Sequence, residues 1–214
     1  MFRLNETIGE RMCDMGNKTM IYLLVFIVLF FLITDVITLM FRGPNFTVEY
    51  YNSDVLVGYT DVATITTLSG LKFKSEKKKE EYLTTYEQTS LETFKKYFSE
   101  ISKDIGKKIE VLDFKSNIKN NASILEITET VVLKGIVQPK NDTYIFDMGQ
   151  IRMNSVANST FKVHLPEDVR IESVEPTPTK NLGTLIIWSG EDIKTFPRIV
   201  YKRLSLQDHQ KEGE

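Results

Sequence analysis

SEKKKEEYLTTYEQTSLETFKKYFSEISKDI, residues 75–105, is the stretch on which the fold turns. Its apolar side chains, Leu83, Tyr86, Leu91, Phe94, Tyr97, Phe98, Ile101 and Ile105, recur three and four residues apart and make one continuous stripe. Glu92, Lys95, Lys96, Glu100 and Lys103 occupy the opposite face, and Gly106 is placed to stop the helix. The spacing predicts one long amphipathic helix of roughly 30 residues, about 45 Å from end to end. Thr84-Thr85 and Thr89-Ser90 are the weak helix formers at which it would break.

Around that helix the period falls from 3.6 to 2. Upstream, Phe46 to Tyr51 and Val55 to Thr67 read as two strands separated by Asn52-Ser53-Asp54. Downstream, strands are expected at Lys108–Phe114, Ser123–Val137, Tyr144–Met153, Thr160–Leu165, Val169–Val174, Thr184–Trp188 and Arg198–Tyr201. Within Thr160–Leu165, Phe161, Val163 and Leu165 alternate with Lys162 and His164, the pattern of a half-buried strand. Turn chemistry at residues 139–142, 166–168, 176–178 and 189–190 separates the runs. The expected class is α+β: a mainly antiparallel sheet of about seven to eight strands with the long amphipathic helix on one face.

Before this domain, residues 21–33 are unbroken apolar sequence, and Thr34 to Phe41 extends the run until Arg42-Gly43-Pro44 stops it. About 20 residues at 1.5 Å each span a hydrocarbon core of roughly 30 Å. The leader balances Arg3, Arg11 and Lys18 against Glu6, Glu10 and Asp14, and no Ala-x-Ala-like step follows the run. An uncleaved N-terminal transmembrane helix, a signal-anchor, is therefore expected over a cleaved signal peptide. The expected organisation is a cytoplasmic leader over 1–20, an anchor over 21–41, an extracytoplasmic α+β domain over 43–203 and a disordered polar tail over 204–214.

Orientation follows from Arg11 and Lys18 on the amino side, which favour an external domain and a cell-membrane, single-pass location. Asn-x-Ser/Thr acceptors at Asn45, Asn121, Asn141 and Asn158 are possible glycosylation sites on that side, although Asn5 and Asn17 match the same short pattern. Asp35 is the one ionisable residue in the run. It is a candidate for helix–helix contact in the membrane, set against simple hydration near the outer interface. The lipid bilayer is then one expected partner, with other membrane or envelope proteins as further ones.

Chemistry is sparse. From residue 42 onward 24 Lys/Arg face 25 Asp/Glu, too even a balance for a nucleic-acid footprint. The one cysteine, Cys13, precedes the apolar run, and the two histidines, His164 and His209, are far apart, so no His/Cys metal site and no cofactor is expected. No Gly-x-Ser-x-Gly elbow and no phosphate-binding glycine loop is present. Strict alternation puts Glu129 on the apolar face with Ile127 and Val131, which a bulge or a sheet edge would explain. Lys74 and Lys77 to Lys79 read as a solvated helix end, and Trp188 as core at the end of a strand.

Val174-Glu175-Pro176-Thr177-Pro178, Leu185-Ile186-Ile187-Trp188-Ser189-Gly190 and Phe196-Pro197-Arg198-Ile199-Val200-Tyr201 together resemble the end of a family of extracytoplasmic domains. That family, of unknown function, occurs behind a single membrane anchor in archaea and Thermotoga-like bacteria. The resemblance covers these closing segments only, implies a surface-exposed domain, and supplies no catalytic residue. The function expected is a non-catalytic, membrane-tethered binding or scaffolding domain. The alternatives are a bitopic subunit of a cell-envelope, pilus or secretion assembly, and a tethered hydrolase using carboxylates.

Overall fold

The computed structural model describes residues 46–86, 91–121, 123–149 and 156–204. Strands β1 (Phe46–Val57) and β2 (Val62–Phe73) pair antiparallel and bury every second side chain. Tyr51, Ser53, Val55 and Val57 point inward from β1, and Ala63, Ile65, Thr67, Ser69 and Leu71 from β2. The expected break at Asn52-Ser53-Asp54 is thus a continuous strand. Asn52 and Asp54 find partners on the outer face, where Thr160 Oγ1 donates to Asn52 Oδ1 at 2.7 Å and His164 Nε2 lies 3.0 Å from Asp54 Oδ1. Ser53 is small enough to be buried between them.

Two helices follow, α1 (Glu76–Tyr86) and α2 (Leu91–Ile105), in place of the single long helix expected. Thr84 and Thr85 turn their hydroxyls back onto the carbonyls of Glu80 and Glu81 at 3.0 and 3.1 Å, a local bond that competes with helix propagation. The apolar stripe also divides unequally. Helix α1 buries Lys79, Tyr82 and Tyr86, whereas α2 carries the fully buried Phe94, Phe98 and Ile101.

The remaining strands are β3 (Glu110–Asn120), β4 (Leu125–Lys134), β5 (Val137–Lys140), β6 (Thr143–Phe146), β7 (Ser159–His164), β8 (Val169–Glu175), β9 (Lys180–Leu182), β10 (Leu185–Ser189) and β11 (Arg198–Arg203). They form two sheets, one of seven strands in the order β3-β4-β2-β1-β7-β10-β9 and one of four in the order β5-β6-β11-β8. The described residues are therefore mostly β, with eleven strands and two short helices, not one sheet under a long helix. The β1–β7 pair is parallel, so the chain crosses over to place β7 beside the first strand. Gly135 divides the expected Ser123–Val137 strand into β4 and β5. Its N–H donates to Asp61 O at 2.8 Å, its φ is +95°, and an added Cβ would meet Lys108 O at 2.1 Å.

Among the described residues the helices and the small sheet cover one face of the large sheet. At the β3–β4 side α2 stacks Phe94 on Phe114 of β3, with centroids 3.7 Å apart. Helix α1 sets Tyr82 against Phe46 and Phe73, at 5.7 and 5.2 Å. Lys79, expected in solvent, is only 7% exposed and donates to Asn120 Oδ1 at 3.0 Å while pairing with Glu76. At the β7–β10 side the small sheet takes over. Phe196 sits between Phe146 of β6 and Phe161 of β7, at 5.3 and 5.4 Å. Tyr201 Oη donates to Gly58 O at 2.6 Å, tying β11 to the β1–β2 turn.

The described residues do not supply the expected membrane-spanning helix of a single-pass architecture. Among the described residues no helix is long and apolar enough to cross a membrane. The expected span, Ile21–Phe41, lies outside the described residues, as do Asp35, Asn45, His209 and all of the tail after Leu204, whose N–H donates to Asp168 O at 2.8 Å.

Candidate functional site

Two places on the large sheet gather polar chemistry, one on each face. On the outer face, register puts Leu56, His164, Leu185 and Leu182 side by side across β1, β7, β10 and β9. Leu56 is 59% and Leu182 62% exposed, more open than any other large apolar side chain among the described residues. One register row away, Asp54 lies between Lys162 Nζ at 3.6 Å and His164 Nε2 at 3.0 Å. Asp54 therefore neutralises its neighbours, and the patch is apolar at one end and charge-balanced beside it. No outward-pointing residue of β1, β2, β4, β7 or β10 belongs to the buried core.

The inner face holds the second place. One row runs Ser116, Glu129, Thr67, Ser53 across β3, β4, β2 and β1. The next row adds Ser69, Tyr51 and Ser159. Neither a bulge nor an edge explains Glu129. Strand β4 is interior, and its register with β2 is unbroken from Val62–Lys134 to Leu71–Leu125. Glu129 Oε1 accepts from Tyr86 Oη at 3.0 Å. The carboxyl keeps a little accessible surface but is enclosed by protein on nearly all sides. Burial pushes its pKa up from 4.5 to about 7, and the Tyr86 bond pulls it back in part. The same burial, with Glu129 adding repulsion, raises the phenols of Tyr82 and Tyr86, and pushes Tyr51 up to about 12. The Ser53 and Ser159 hydroxyls are buried, and those of Ser53 and Thr67 beside the Tyr51 phenol offset part of its rise.

Chemically, the two places do not combine. Glu129 and His164 project from opposite faces of one sheet, so carboxyl and imidazole cannot converge on one substrate. The upward shift on Glu129 arises from burial against the pull of Tyr86, and no other carboxylate among the described residues contributes to it. Among the described residues no group of three His, Cys, Asp or Glu is placed to hold a metal ion. Trp188 is core, as expected, with Nε1–H donating to Pro176 O at 3.1 Å and its ring edge-on to Phe161. Asn121, Asn141 and Asn158 are exposed, Asn141 in a turn at φ +55°.

The alternation signal identified Glu129. The outer patch was hidden, because Leu182 is a lone apolar residue in a three-residue strand and Leu56 lies beyond the expected break in β1.

Among solved structures, the chain is similar to the folded domain of LppM from Mycobacterium tuberculosis, at 8% identity and TM-score 0.40, over 78% of this chain and 95% of that one. It is also similar to an M1 zinc metallopeptidase from Deinococcus radiodurans, at 7% identity and TM-score 0.29, over 74% of this chain and 42% of that one. No curated protein matches the sequence. The family described as Domain of unknown function (DUF4897) matches residues 46–202, nearly the whole described fold, and the chain belongs to that family.

Proposed function

We propose that this domain is a non-catalytic binding module that receives a protein partner on the outer face of its seven-stranded sheet. The observation that carries the reading is the row Leu56–His164–Leu185–Leu182, in which two leucines stand more than half exposed on regular strands. Leucines held this way lose nothing on folding by remaining in water, yet release about 1.5–3 kcal/mol each when a partner covers them. The adjacent Lys162–Asp54–His164 group adds polar contacts at a rim without presenting an uncompensated charge. The non-catalytic reading is supported by the separation of Glu129 from His164 across the sheet.

A photo-crosslinking residue placed at Leu56, at Leu182 and, as a control, at Lys95 on the exposed face of α2 tests this in native cells. The reading expects one shared adduct from positions 56 and 182 and none from 95, and loss of that adduct when Leu185 is changed to Lys. Equal labelling from all three positions, or none from the two leucine sites, overturns it.

A further inference from the structure

Glu129 is the one carboxyl among the described residues that points into the covered face of the large sheet, from the middle of the unbroken β2–β4 ladder. No cation faces it. Around it stand Thr67 from β2, Ser116 from β3, Tyr51 from β1, and Tyr82 and Tyr86 from α1. Helix α1 does carry a lysine under cover, but Lys79 lies about two turns before Tyr86 and is spent on Asn120 and Glu76. On the flanking strands, Lys115 and Asn117 of β3 alternate to the other face. From α2, the side chain stacked on β3 is Phe94, which is uncharged.

The contact that closes over Glu129 is consequently a phenol at the last residue of α1, Tyr86. Helix α1 is weakly held elsewhere. It buries three side chains, and its exposed ion pairs, such as Lys78–Glu81, contribute little. A neutral carboxylic acid fits this hydroxyl-lined enclosure, whereas a carboxylate there lacks a counter-ion and favours any opening that admits water.

We infer that Glu129 is a proton-operated latch for helix α1: protonated, the neutral acid lets the helix lie closed over it, and ionised, its buried charge outweighs the Tyr86 bond and favours an opening that admits water to Glu129 and the hydroxyls of Ser116 and Thr67 beside it. The device is distinct from the outer face proposed above for a partner and stands or falls separately.

The sign follows from the two states of the helix. In the closed state the carboxyl titrates near pH 7, and in the open, hydrated state near its ordinary 4.5. Between those values the closed state holds a proton that the open state has lost, so opening becomes easier as pH rises. Amide hydrogen exchange of the intact chain at pH 5.5 and 8, expressed as protection factors, reads this directly. Protection of the α1 amides should fall by about twentyfold over that range, while that of α2 changes little. Glu129→Gln should remove the pH dependence. Tyr86→Phe, which deletes the bond that lowers the carboxyl's pKa, should keep the fold and move the midpoint upward. A carboxyl carbon NMR titration of Glu129 checks the group itself in the unmodified protein. A midpoint near 4.5, or an α1 protection that falls equally in Glu129→Gln, overturns the proposal.

Discussion

A glutamate directed into the packed face of a sheet must keep its proton, find a cation or open the structure, and among the described residues no cation faces Glu129. Its effect on global stability is therefore signed. The retained proton contributes its full stability below about pH 4.5, and that contribution is lost as pH rises to about 7. The loss is at most about 3 kcal/mol by pH 8, since residual water access reduces it. Urea denaturation of the protein and of Glu129→Gln should give similar midpoints at pH 4.5 and a clear advantage for the variant at pH 8. A gap that is the same at both pH values would show that Glu129 stays ionised in the fold. Gly135 shows the opposite kind of single-residue control, geometric and independent of pH. Its φ of +95° and the 2.1 Å approach of Lys108 O to a would-be Cβ leave no room for a side chain. The obstructing atom is backbone and cannot swing away, so Gly135→Ala should cost about 3 kcal/mol or more. A variant that melts within a few degrees of the parent would refute that.

At the scale of the element, the two helices differ in what holds them. Helix α2 is a packing helix: Phe94, Phe98 and Ile101 are each 1% exposed or less, and Phe94 stacks on Phe114. Phe94→Ala should cost about 3–5 kcal/mol, whereas Lys95→Ala on the exposed face should stay within about 0.5 kcal/mol. Comparable losses at both positions would mean that the stripe is not the buried one. This stripe was legible in the sequence because its spacing is a local property. The weak formers Thr84-Thr85 and Thr89-Ser90 also marked where α1 ends and α2 begins, but the change of burial between the two was not legible, since it depends on what each half meets. The strands show the same division. Alternation marked β7 nearly to the residue, but Asn52-Ser53-Asp54 looked like a turn, because its outer-face partners Thr160 and His164 come from more than a hundred positions away. The three residues of β9 carry too short a pattern to announce a strand, and Leu182, half of the proposed contact patch, was lost with them.

The whole molecule poses a question of cooperativity, because two sheets with separate ladders share one core. Phe196 links them, with Phe146 of the small sheet on one side and Phe161 of the large sheet on the other. At the β1–β2 turn, Tyr59 Oη donates to the backbone and carboxylate oxygens of Asp168 at 2.7 and 2.9 Å, and Arg203 Nε donates to the same carboxylate at 2.8 Å. Arg203 also lies over the Tyr59 ring, 5.0 Å from its centroid. Arg203 is 65% exposed, so water screens its ion pair and the apolar junction dominates. Neither sheet has a core of its own at that junction, where Trp188, Phe161, Phe196, Ile199 and Tyr201 belong to one continuous cluster. The described fold should therefore unfold as a unit. Trp188, the single tryptophan, reports the junction by fluorescence, and far-UV circular dichroism reports all strands. The two signals should give one coincident urea transition. Phe196→Ala should shift both together by about 3–5 kcal/mol, leaving them superimposed. If the variant instead splits them, with fluorescence changing first, the sheets are separable units and the shared core does not govern the fold.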